Sequence, residues 1–125
     1  MRSNAFRAAA EAKDFAAGAE LFAEDVTFNS PVVFQPYEGR DALAMLLTAV
    51  VRVFEDFRYV AQTETDDVAV LMFEASVGDR DLQGVDILRF DDAGLIAELT
   101  VMVRPMSGMH ALAEAMKAQL EAAGA

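Results

Sequence analysis

The sequence predicts an α+β domain with helices segregated against an antiparallel sheet. Three observations carry that prediction. Residues 41–54 and 109–120 repeat apolar side chains at helical spacing. The stretches 57–64, 68–77, 82–91 and 95–104 are instead rich in β-branched and aromatic residues. The segments Gly78-Asp79-Arg80-Asp81 and Asp91-Asp92-Ala93-Gly94 are short enough for hairpins, which makes the strands they join antiparallel. With 125 residues, 54% apolar and 25% charged, the chain can bury a core, and no linker or internal repeat divides it. Residues 1–125 therefore read as one domain.

A first helix starts near Ser3 or Asn4, either able to cap the free amides of the first turn, and runs to about Lys13. Asp14 can cap a second, short helix in which Phe15, Ala19 and Phe22 share a face. The run VTFNSPVVF is strand-like and broken at Pro31. Pro36, Tyr37, Glu38 and Gly39 form a turn. From Asp41 to Phe54, Leu43, Leu46, Leu47, Val50, Val51 and Phe54 make one stripe that must pack on a flat surface, supplied by the four strands that follow. Pro105 ends the last strand. Met109, Leu112, Ala113, Met116 and Leu120 then mark a C-terminal helix to about Ala122.

Alternation sorts the last strand into an apolar set, Leu95, Ala97, Leu99, Val101 and Val103, and a set holding every polar group, Ile96, Glu98, Thr100, Met102 and Arg104. The first set faces inward. With a two-residue Asp92-Ala93 loop, Asp86 sits opposite Leu99 and faces inward with Leu88 and Phe90; a glycine bulge at Gly94 would shift that pairing by one. An inward aspartate in apolar surroundings must be partnered or partly protonated, because desolvation disfavours its charged form. It is either a structural carboxylate satisfied by amides, a hydroxyl or water, or a polar anchor or proton carrier in a cavity. The opposite face, with Val85, Ile87, Thr100 and Met102 around an Arg89–Glu98 pair, is apolar enough to suggest cover by a second copy in a two-fold dimer.

Composition narrows the function. Ten Lys plus Arg against 21 Asp plus Glu leave a net charge of -11, which repels nucleic acid and anionic lipid. The absence of cysteine removes thiol nucleophiles and thiolate metal sites and suits a reducing compartment. One histidine and isolated glycines leave no imidazole-rich metal site, phosphate loop or dinucleotide fingerprint, so neither metal nor cofactor is expected. The N-terminal residues lack a signal-peptide apolar region, and ALAMLLTAVV from Ala42 is half the length of a membrane span, which predicts a cytoplasmic protein. His110, in the first turn of the last helix, reads as a surface residue rather than a base. Tyr37 and Tyr59 can aim hydroxyls inward or serve as core or rim aromatics.

The stretches LFAEDVTFNSP, YEGRDAL and GVDILRFDDAGLIAELTVMVRP resemble the SnoaL-like group of the nuclear transport factor 2-like superfamily over nearly the whole chain. The segment RPMSGMHALAEAM is similar to bacterial members with no established reaction. The resemblance implies a cone-shaped, strongly curved sheet wrapped by helices, an apolar pocket at the open end, and frequent dimers. It does not fix the chemistry, since the superfamily contains isomerases, cyclases, dehydratases, epoxide hydrolases and binding domains. Against ketosteroid isomerases, the resemblance puts their protonated aspartic acid at Asp86, but their pre-proline base falls on Ser30 and their oxyanion tyrosine near Phe6. Serine cannot replace a carboxylate base unaided. The histidine of the polyketide cyclases falls on a strand reading Leu71-Met72-Phe73, and the polar array of limonene-type epoxide hydrolases meets VAVLMF and ELTVMV.

Three readings follow. One is a binding domain for a small, mostly apolar molecule, anchored by Asp86 and lined by Phe6, Ser30, Phe34, Tyr37, Tyr59, Leu88, Leu99, Val101 and Val103. Another is an isomerase, dehydratase or cyclase-type enzyme with Asp86 as general acid, helped by Tyr37 or Tyr59. The last is a structural dimer module with a filled core.

Overall fold

The computed structural model describes residues 1–16 and 18–122. Three helices, α1 (Asn4–Glu11), α2 (Arg40–Val53) and α3 (Met106–Ala122), pack against one curved six-stranded sheet. Its strands are β1 (Phe22–Asn29), β2 (Tyr37–Glu38), β3 (Glu55–Glu64), β4 (Val68–Val77), β5 (Arg80–Phe90) and β6 (Ile96–Arg104), in spatial order β2-β1-β6-β5-β4-β3. All neighbours run antiparallel except β1 and β6, which are parallel, so the sheet is mixed rather than purely antiparallel. The crossing from β1 to α2 and back through the meander makes that one parallel contact.

Local chemistry explains the elements. Leu43, Leu46, Leu47 and Ala49 are the buried stripe of α2, at the spacing that puts them on one face. Gly39 precedes it at φ 99°, a left-handed conformation that only glycine adopts without strain. Along β4 the buried residues Ala69, Leu71, Phe73, Ala75 and Val77 alternate with more exposed ones, the signature of a sheet with one covered face. Gly84 on β5 faces Phe73 on β4, and a Cβ there would meet the Phe73 ring at 2.3 Å and the Met102 carbonyl at 2.6 Å. The missing side chain is what lets that ring lie across the strand.

Four expectations need correction. No second α-helix follows Asp14: outside Ala17, which is not among the described residues, the segment is a turn and a 3-10 turn at Ala19–Leu21, and Phe22 opens β1. Phe15 and Phe22 are nonetheless buried, packed with Phe6, so their apolar spacing reported burial rather than helix. Ser3 stands at the start of α1 without capping it; its hydroxyl donates to Glu64 Oε1 at 2.7 Å. Tyr37 and Glu38 form a short strand on β1 instead of lying in a turn.

The β5–β6 hairpin carries the fourth. Asp86 lies opposite Val101, not Leu99, because the loop extends to a bond from the Asp91 amide to the Leu95 carbonyl and Ala97 is an extra residue in β6. The net shift is two residues. An even shift preserves the face, so Asp86, Leu88, Leu99 and Val101 stay inward. Beyond the bulge the parity flips, and Ile96, expected outward, is core at 2% exposure. Arg89 and Glu98 pair across this hairpin at 3.4 Å, as their expected proximity requires.

Candidate functional site

The helices and the inner face of the sheet enclose a cavity of about 440 Å³. Helix α1 contributes Phe6 and Ala10, α2 contributes Leu46, Leu47, Val50 and Val51, and α3 contributes Leu112, Met116 and Leu120. The sheet supplies Phe28, Phe57, Tyr59, Phe73, Asp86 and Val101. Phe54, Phe57, Tyr59 and Phe73 form a continuous aromatic cluster, with Phe57 and Tyr59 edge to face at 4.9 Å and Phe57 to Phe73 at 5.0 Å.

Within this apolar wall two polar groups are buried together. The Tyr59 hydroxyl donates to Asp86 Oδ2 at 2.6 Å. Both residues are 7% exposed. The other carboxyl oxygen, Oδ1, has no hydrogen-bond partner among the described residues, yet no fully occluded side-chain oxygen among them lacks one, so Oδ1 opens onto the cavity. The pairing spans β4: Tyr59 sits opposite Phe73, Phe73 opposite Gly84, and Asp86 two residues further along β5.

Burial pushes the Asp86 carboxyl up to about 7, and the Tyr59 hydrogen bond holds it from rising further. Burial, then the Asp86 charge and the shared hydrogen bond, push the Tyr59 phenol upward too. Tyr59 is therefore a fixed donor, while Asp86 changes charge near neutrality. The Arg7 guanidinium stacks over the Tyr59 ring at 5.7 Å and donates to Gln62 at 3.0 Å, which holds the phenol's outer side.

Of the residues expected to line the site, Phe6, Ser30, Tyr37, Tyr59, Asp86 and Val101 do so. Leu88 and Leu99 do not: each is 0% exposed in the closed part of the core, where the inward face meets other side chains instead of space. Val103 is half-buried beyond the cavity, and Phe34 projects fully from the loop after Pro31. Ser30 Oγ accepts from the amides of Val32 and Val33 at 3.0 and 3.2 Å, so it organises its own loop. Tyr37 stacks on Phe28 at 6.1 Å. His110 is exposed and lies outside the cavity. Among the described residues no group of three or more His, Asp or Glu is placed to hold a metal, and no helix is long and apolar enough to cross a membrane.

Sequence reasoning missed Phe15, Phe54, Phe57, Phe73, the α2 wall, and Leu112 and Leu120 of α3 as lining residues, and two lysines, Lys13 and Lys117, at the rim. Helical stripes give a buried side but not the place where packing stops. The charged rim residues carried no motif.

Residues 4–99 match the SnoaL-like domain family. The chain belongs to that family. Among solved structures, this SnoaL-like chain is similar to a steroid delta-isomerase from Pseudomonas aeruginosa, 39% identical over 97% of this chain and 90% of that one, with a TM-score of 0.93. It is also similar to a bacterial protein with a cystatin-like fold from Silicibacter pomeroyi DSS-3, 32% identical over 96% of this chain and 85% of that one, with a TM-score of 0.92. A nuclear transport factor 2-like protein from Cytophaga hutchinsonii shares the fold at 19% identity and a TM-score of 0.67, covering 85% of this chain and 89% of that one. No curated protein matches the sequence.

Proposed function

We propose that the cavity takes up a small, mostly apolar molecule and that Asp86, held by Tyr59, anchors the molecule's hydrogen-bond acceptor. One observation carries the reading: a buried carboxyl with one oxygen fixed by a phenol and the other open to an otherwise apolar cavity of about 440 Å³, a size that suits small-molecule sites. Below about pH 7 the carboxyl is neutral and has a proton to donate, so a carbonyl oxygen is the matching group. The test is a methyl NMR titration with 2-undecanone and with undecane. The reading predicts that the ketone binds more tightly and that Asp86→Leu removes the difference; equal binding of both by the unaltered protein contradicts it.

A second reading is favoured by the 39% identical structure described as a steroid delta-isomerase and by a carboxyl that titrates near neutrality. Here Asp86 acts as general acid, giving its proton to a carbonyl oxygen as negative charge develops during an isomerisation, dehydration or cyclisation. The cavity residues give limited help with the opposite proton transfer: the carboxylate position before Pro31 is Ser30, and Glu121, the other lining carboxylate, is exposed on α3. A β,γ-unsaturated ketosteroid offered as substrate separates the readings. Turnover that falls as pH rises through about 7 and disappears in Asp86→Asn supports the enzyme.

For the assembly, we propose a homodimer through the outer sheet face. Val60, Met72 and Met102 are 53%, 47% and 55% exposed there, more apolar surface than a strand face in water ordinarily carries. Sedimentation as a monomer at micromolar concentration would contradict this.

A further inference from the structure

The chain has only two lysines, Lys13 and Lys117, and both line the cavity, whereas none of its eight arginines does. They come from different elements: Lys13 from the turn after α1, at φ 56°, and Lys117 from α3. Both are exposed, so they stand at the mouth while Asp86 and Tyr59 lie buried inside. Neither lysine forms an ion pair with a described residue; the four ion pairs among the described residues all use arginine. One carboxylate, Glu121, shares the rim, one helical turn beyond Lys117. In a molecule with a net charge of -11, the exposed lining residues of this cavity carry two lysines against one glutamate, a local excess of positive charge.

We infer that the ligand class is an amphipathic carboxylate, its charged end held at the mouth by Lys13 and Lys117 and its apolar body inside, with any acceptor oxygen at the far end reaching Asp86. The inference rests on the reading of the cavity as a binding site and adds the charge of the molecule it takes. A neutral ligand gives the two ammonium groups nothing to neutralise, and a cationic one is repelled by them. A carboxylate leaves its hydrated end at the surface, where no desolvation penalty opposes entry of the apolar part.

The test compares dodecanoate with dodecan-1-ol by isothermal titration calorimetry, at low and at high salt. The expected result is a preference for the carboxylate of roughly tenfold at low salt, as two exposed charge contacts give. That preference should shrink as salt screens the rim. Lys13→Gln/Lys117→Gln should abolish it, bringing dodecanoate and dodecanol to equal affinity. Because both side chains are exposed, folding of the variant is checked by its unaltered thermal midpoint; Lys117→Arg, which keeps the charge, should retain the preference. Equal affinities in the unaltered protein, or a preference that survives in the double variant, overturn the inference while leaving the binding site standing. Binding of neither compound overturns both.

Discussion

Two carboxylates in this molecule meet hydroxyl groups and respond in opposite directions. Glu64, at the end of β3, accepts from the Ser3 hydroxyl at 2.7 Å and from the amides of Ser3 and Arg2 at 3.2 and 3.0 Å. Lost water raises its pKa more than any one donor lowers it, but the Ser3 hydroxyl, the two amides and the nearby N-terminal charge together bring it below the ordinary value. Asp86 has a single donor, Tyr59, and nearly complete burial, and it ends near 7. A hydroxyl alone does not decide whether a carboxylate stays charged. The balance of donors against lost water does, and the cavity end is short of donors where the α1 end is rich in them.

That contrast can be broken most forcefully at Asp86. Its folded pKa lies above its unfolded value, so the folded state holds the proton more tightly between about pH 4 and 7 and stability is lost as pH rises through that window. Asp86→Asn removes the anion while still accepting from Tyr59, and chemical denaturation should find it more stable than the unaltered protein at pH 8, by up to ~4 kcal/mol, and nearly equal at pH 4. Loss of stability at pH 8 would mean that the carboxylate is well solvated or has a partner.

Gly84→Ala should cost about 1–3 kcal/mol, because the new methyl collides with the Phe73 ring and the Met102 carbonyl in a packed wall. Tyr59→Phe leaves Asp86 without its donor. It should cost about 1–3 kcal/mol above pH 7 and move the Asp86 titration higher still, read in the same denaturation series. The smallest effect belongs to the other carboxylate: Ser3→Ala should cost about 1 kcal/mol. Glu64 has the opposite linkage, since its lowered pKa contributes stability above its unfolded value that is lost as pH falls through the folded one. The Ser3→Ala penalty should therefore fade in acid as Glu64 protonates, and the Asp86→Asn gain should begin to fade at a higher pH, as Asp86 protonates below about 7.

Much of the frame was legible. Strand β4 matches its predicted bounds, Val68–Val77, and α2 differs by one residue at each end, because clean periodicity and flanking turn residues leave little choice. Asp86 is placed inward by alternation in the last strand together with the assumed two-residue loop, and the placement survives a two-residue error in register because faces repeat every second residue. The same logic failed for Ile96 once Ala97 entered as an extra residue. Tyr59 was a candidate, but its pairing with Asp86 crosses an intervening strand and follows a register irregularity between Tyr59 and Ala61, so nothing local announced it. Leu88 and Leu99 show the remaining limit: sequence says which side chains point inward, and packing says which of them reach a void.

The most direct measurement is a 13C NMR titration of the Asp86 carboxyl carbon in the folded protein. Confinement beside a lone phenol predicts an inflection near pH 7. An inflection at the ordinary aspartate value, about 3.9, would show a carboxylate in contact with water and would remove the basis for its role as a neutral donor.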